Sequence, residues 1–183
     1  HFSSSGTCAN PAPNKKQEDI IKSFYYYKKI NPESRLILVG AWAGMENYYN
    51  RLKKYVSALE LNDVIFTGHI TFDKILAYYQ IADIFLCMSQ HEGFCVPLVE
   101  SMFFNVPVIA LNSCAVPDTL GESGVLLPDN NPVYTAEIIS RIINDSSFRN
   151  DVLRKQKKRL SDFSYKKTGT LFKEILSDFI NGD

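Results

Sequence analysis

Glu92-Gly93-Phe94-Cys95-Val96-Pro97-Leu98-Val99-Glu100 is the stretch on which the fold turns. Directly before it runs Asp83-Ile84-Phe85-Leu86-Cys87-Met88-Ser89. A short, continuous apolar run bounded by polar residues predicts a strand buried on both faces. Behind the stretch, Leu98 to Phe104 carries a helical pattern. Pro97 suits the first helical position, where its missing N–H is not needed. Strand, loop and helix in this order leave free backbone N–H groups at the carboxyl end of a sheet. Open α/β sheets bind ligands there, and anions meet a helix N-terminus. Glu92 at the strand end and Glu100 in the first helical turn are expected to face one crevice. Neither carboxylate can ligate a phosphate; both suit sugar or ribose hydroxyls, which donate hydrogen bonds.

Working outward, the pattern alternates. Asn14 can cap a helix over Gln17 to Ile30, with Ile20, Ile21, Phe24, Tyr27 and Lys28 giving its stripe. Strands are expected over Arg35–Gly40, Asp63–Thr67, Val106–Leu111 and Gly124–Leu127, besides Asp83–Met88. Helices are expected over Met45–Leu61, from Thr71 to Ala82, and over Tyr134–Ile143, Ser147–Leu160 and Tyr165–Ile180. Strands alternating with helices predict a doubly wound α/β fold with a parallel sheet. The first residues depart from this rhythm. His1 to Pro11 holds three serines, a glycine and a proline, which favours irregular chain over a strand.

The bulk numbers narrow the function. The 183 residues fit a single domain, with 1–12 as an atypical edge and 165–183 as a C-terminal helix. Twenty Lys+Arg against twenty Asp+Glu give a net charge of zero, which argues against a nucleic-acid-binding surface. No run approaches the ~18 apolar residues of a membrane helix. Cys8, Cys87, Cys95 and Cys114 lack C-x-x-C spacing, so they read as reduced thiols of a cytoplasmic protein. Three scattered histidines, among them His91, make no metal site.

Glu92-x7-Glu100, with Gly93-Phe94 directly after the first Glu and Pro97 between, resembles the donor-site signature of retaining GT-B glycosyltransferases of family 4, or group 1. The likeness continues through Asn105-Val106-Pro107-Val108-Ile109-Ala110 and Ala115-Val116-Pro117-Asp118-Thr119-Leu120-Gly121. It reaches back through Leu36–Gly40 and Val64–Gly68, covering about residues 13 to 165. An isolated E-x7-E is weak, but E-G-F-x-x-P-x-x-E inside this order of strands is specific. The resemblance implies a Rossmann-like doubly wound sheet forming one half of a GT-B fold. It implies retaining, metal-independent transfer of a hexose from a UDP- or GDP-sugar to a glycan or lipid-linked acceptor, as in polysaccharide biosynthesis. The acceptor side would belong to an N-terminal domain absent from this chain. The isolated chain is then expected to be inactive.

The same resemblance distributes roles. Glu100 would grip the ribose hydroxyls, and Glu92 would contact the donor sugar. Backbone N–H groups of Gly93, Phe94 and Cys95 would cradle sugar and diphosphate, with Cys95 serving as a small residue rather than a reactive one. Lys15, in Pro13-Asn14-Lys15, would neutralise the diphosphate in place of a metal. His69 and Ile70 would line the nucleobase, and Leu98 would floor the nucleotide or pack the core. Asn105 stands where the family has Gly, and Asn is the next most tolerant of a left-handed helix stop. Asn10 stands where the family has a phosphate-binding Arg. No cofactor and no metal are expected beyond the donor itself.

Three other readings compete. One is a catalytically inactive nucleotide-sugar-binding module, which the Asn10 departure would favour. Another is a GT-B nucleotide-sugar epimerase or a phosphorylase-like enzyme. A receiver-like regulatory domain would need acidic clusters at strand ends, and the sequence lacks them. Trp42 and the many tyrosines read as helix packing rather than base stacking, since no basic face accompanies them. Arg154 to Arg159 reads as a solvated helix face, with peripheral contact at the inner membrane face through the full-length enzyme as the alternative.

Overall fold

The computed structural model describes residues 2–4 and 12–181. Six strands form one parallel sheet: β1 (Phe2–Ser4), β2 (Leu36–Leu38), β3 (Val64–Phe66), β4 (Ile84–Cys87), β5 (Val108–Leu111) and β6 (Val125–Leu127). Their order is β3-β2-β1-β4-β5-β6. The chain thus winds one way from β1 to β3 and the other way from β4 to β6, with the switch between β1 and β4. That is the doubly wound arrangement the alternation predicted, and its crevice opens beyond the carboxyl ends of β1 and β4.

The helices that return the chain are α1 (Gln17–Ile30), α2 (Glu46–Ala58), α3 (Phe72–Ile81), α4 (Val96–Phe103) and α5 (Val116–Leu120). Beyond β6 come α6 (Pro132–Asn144), α7 (Ser146–Leu160) and α8 (Tyr165–Asn181). Strand side chains alternate between two cores. Leu36, Leu38, Ile84, Leu86 and Ile109 pack against α1, α2 and α6. Phe85, Cys87, Val108 and Ala110 pack against α3, α4 and α5. Every β4 residue is buried, as its apolar run requires. Trp42 sits with Tyr49 and Phe66 at ring centroids of 4.9 and 5.6 Å, so these aromatics build core.

Two local devices set the loop geometry. Asn105 adopts φ 55°, stopping α4 in the left-handed conformation as expected. Gln156, buried on α7, accepts from the Val108 N–H and donates to the Val106 carbonyl, both at 2.9 Å. It serves backbone groups at the start of β5 that no strand neighbour pairs. The basic run around it is only partly a solvated face. Arg159 donates to the Thr119 and Asp118 carbonyls at the end of α5, and Arg154 and Lys155 pair with Asp151. α8 is the elongated exception, with Leu171, Phe172, Ile175 and Ile180 more than half exposed. Among the described residues, no helix is long and apolar enough to cross a membrane.

The expectation of irregular chain before Pro13 fails at Phe2–Ser4. This segment is the third of six strands in order, pairing Phe2 with Leu36 on one side and with Ile84 on the other. Two flanking strands offer backbone ladders on both sides, and that pairing outweighs the weak strand preference of serine. Asn10 lies outside the described residues.

Candidate donor-binding site

The loop after β4 and the turn after β1 meet because their strands are neighbours. A 3₁₀ turn, Pro13–Lys15, ends at Lys16 with φ 51°, and this left-handed residue aims Lys15 inward. The turn is tied to the β4 loop by the Gln90 N–H donating to the Asn14 carbonyl at 2.8 Å. From the other side, Ser113 Oγ donates to the Gln90 carbonyl at 2.8 Å and Thr119 Oγ1 to the Phe94 carbonyl at 2.6 Å. The loop is therefore held at both flanks.

Inside this frame Lys15 Nζ donates to Glu92 Oε1 at 2.6 Å. Both side chains are nearly withdrawn from solvent, at 10% and 7% exposure. Lys15 and Glu92, expected to act separately on ligand, form one ion pair with each other. The signal was present in the sequence: oppositely charged residues in two loops that the doubly wound order brings together. Cys95, immediately before α4, adopts φ 59°, and this turn starts the helix at Val96. Its thiol lies 3.9 Å from that of Cys87. The contact between the two thiols lowers the pKa of Cys87 and, together with burial, pushes that of Cys95 upward.

The early helix start corrects two details. Pro97 is the second helical residue rather than the first, and Glu100 falls in the second turn. The carboxylate of Glu100 is thus not there to complement the helix dipole. It accepts from Tyr79 Oη at 2.9 Å and borders a groove of about 420 Å³ with Phe72, Leu76, Phe94, Val96 and Phe103. The expectation that both carboxylates face one crevice is not met: Glu92 faces Lys15 and the thiols, whereas Glu100 faces Tyr79 on α3 and this apolar groove. Tyr79 packs in the core as expected, stacked on Phe104, and its hydroxyl in addition donates to Glu100, a contact the packing assignment did not foresee.

The remaining predicted residues separate clearly. Gly93 and Phe94 are exposed on the loop, and Phe94 stacks edge-on against Phe163 at 5.5 Å. His69 is exposed and Ile70 half-buried, directly after the left-handed Gly68 that follows β3. Leu98 is fully buried in the core beside Cys87 and Met102. His91 approaches the exposed Cys114, with Nδ1 3.7 Å from its sulfur.

Comparison with known proteins places this architecture. The chain is 23% identical over 128 residues to the serotype-specific mannosyltransferase WbdA of Escherichia coli, covering 70% of this chain and 16% of that protein. Among solved structures it is similar to the C-terminal domain of a glycosyl transferase group 1 family protein, LpcC, from Francisella tularensis. The TM-score is 0.75 at 22% identity, covering 88% of this chain and 85% of that one. It is also similar to Anabaena Alr3699/HepE in complex with UDP, with TM-score 0.82 at 23% identity, covering 97% of this chain and 49% of that one. The chain thus spans about half of HepE and less than a fifth of WbdA. The model of the family Glycosyl transferases group 1 matches residues 7–159, and the chain belongs to that family.

Proposed function

We propose that this chain is the donor-binding half of a retaining, metal-independent hexosyltransferase that uses a UDP- or GDP-sugar. The observation that carries the reading is the Lys15–Glu92 pair at the switch between β1 and β4. It holds an ammonium and a carboxylate ready at the place where a diphosphate and a sugar would meet. A diphosphate entering against the α4 N-terminus attracts Lys15 away from Glu92. Lys15 then neutralises charge on the departing nucleoside diphosphate, the service a divalent ion gives elsewhere. Glu92, released, accepts hydrogen bonds from sugar hydroxyls. Backbone N–H groups of Gly93, Phe94 and Cys95 supply further donors to the leaving group.

Glu100, oriented by Tyr79, is assigned to the vicinal ribose hydroxyls, and the exposed His69–Ile70 turn to the base. HepE, which shares the fold, was solved with UDP, and this supports a uridine nucleotide as a first candidate. The acceptor, glycan or lipid-linked, is assigned to a separate N-terminal domain of a cytoplasmic enzyme, so the isolated chain should turn over no sugar. The test is calorimetric titration of the chain with UDP, GDP, ADP and their sugars. Binding of one nucleotide family, lost in Glu100→Gln, is expected. Equal and weak binding of all three, unaffected by Glu100→Gln, would overturn the assignment.

A further inference from the structure

The strand–loop–helix unit carries two thiols that sugar transfer does not use. Cys87 ends β4 and Cys95 precedes α4, and both thiols are buried and free. Their sulfurs lie 3.9 Å apart. With a carboxylate oxygen of Glu92 they make three donor atoms all within 4.8 Å of one another. Two thiolates bound at about 2.3 Å to a tetrahedral zinc ion stand roughly 3.8 Å apart, along one edge of the tetrahedron. The two cysteines already hold that edge, fixed by a buried strand end on one side and a helix start on the other. A carboxylate oxygen of Glu92, within 4.8 Å of both sulfurs, is the candidate third vertex.

We propose that Cys87, Cys95 and Glu92 form a binding site for a thiophilic divalent cation of the zinc class. Two sulfurs and one carboxylate match soft and borderline ions, whereas magnesium and calcium ask for oxygen ligands throughout. Binding forms two metal–sulfur bonds and releases both thiol protons to solvent. It also weakens the Lys15–Glu92 hydrogen bond, because the metal draws on the charge of the same carboxylate and repels the ammonium. Lys15 is the resident cation of this pocket, and the metal is its rival. A bound metal withdraws Glu92 from any ligand, so the site acts as a brake on whatever Glu92 does. Metal binding itself does not depend on the transferase reading.

The experiment uses cobalt(II) as an absorbing stand-in for zinc, added to the full chain under reducing, oxygen-free conditions. One equivalent should give a thiolate-to-metal charge-transfer band that zinc removes. Cys87→Ala and Cys95→Gly should each abolish the band, the glycine keeping the left-handed backbone, while Cys114→Ala should leave it intact. Glu92→Gln should weaken binding by at least the roughly tenfold that loss of even an outer-shell partner costs. Lys15→Met should tighten it, a gain that damage to the fold would not produce. The proposal is overturned if no band forms, if the band survives Cys87→Ala, if Lys15→Met weakens binding, or if the only product is a Cys87–Cys95 disulfide.

Discussion

Lys15 and Glu92, remote in sequence, share a 2.6 Å charge-assisted hydrogen bond with almost no solvent around either side chain. Such a pair is costly to break by halves, because the surviving charge stays buried alone, at about 3–5 kcal/mol. Lys15→Met and Glu92→Gln should each lower stability, with Lys15→Met the worse because it strands a carboxylate. The double variant should recover part of the loss. Urea unfolding of the four proteins checks this, and strictly additive effects would mean that the pair is solvated in solution.

Nucleotide grip should divide between the two carboxylates. Hydrogen bonds to a charged group are worth roughly 1.5–3 kcal/mol, so Glu100→Gln should weaken a nucleoside diphosphate about tenfold or more. Glu92→Gln should not weaken bare diphosphate binding, and should tighten it if anything because Lys15 is no longer held by a carboxylate, while it erases any preference for the nucleotide-sugar. Tyr79→Phe, which only frees Glu100 to rotate, should cost less than Glu100→Gln and act on the same nucleotides. Calorimetry with and without the sugar separates the three.

Gln156 should behave as a keystone of β5. Gln156→Leu leaves the Val106 carbonyl and the Val108 N–H buried without partners, each costing about 1–3 kcal/mol. Chemical denaturation gives the total, and hydrogen exchange should show early opening at Val108. Protection unchanged at that amide would show that solvent replaces the side chain.

At Asn105 the backbone, not the side chain, is at stake. Asn105→Gly should be neutral or stabilising, whereas Asn105→Ala should cost about 1 kcal/mol in the left-handed region. Thermal melts rank the two. A ranking with Ala above Gly would mean that the helix end relaxes out of φ 55°.

Asp162 bridges Arg159 and Lys167 where α7 gives way to α8. Its hydrogen bonds from Lys167 first, then Arg159, hold its carboxyl below the usual range. A depressed pKa stabilises above the unfolded value and is lost as pH falls through the folded one. Asp162→Asn should therefore loosen the α7–α8 junction at neutral pH and make no difference in strong acid. Limited proteolysis across the pH range reads this directly.

The sheet was legible because its strands are short apolar runs between turn residues, and E-G-F-x-x-P-x-x-E marked the loop of the candidate site. Geometry within the loop was less so. Cys95 takes a left-handed backbone that single-residue preferences disfavour, and this moved the helix start back to Val96. Glu100 consequently falls in the second turn, where it accepts from Tyr79, rather than in the first. Gln156 is a contact across the chain that local pattern does not encode, and the Lys15–Glu92 pair becomes legible only once the strand order sets β1 beside β4. β1 was misread for the opposite reason. Its serines speak for a loop, but the sheet on both sides decides.

β1 also dictates an order of events during synthesis. Phe2–Ser4 is made before both of the strands it pairs with, yet it must bond to Leu36 and then to Ile84 before the sheet is continuous. On an emerging chain, β2 and β3 can assemble with α1 and α2 while β1 waits with one edge bare. The second edge closes only when β4 leaves the ribosome, at the entropic expense of a long loop. A nascent chain paused before Ile84 thus exposes an open strand edge, the state most prone to pairing with the wrong partner.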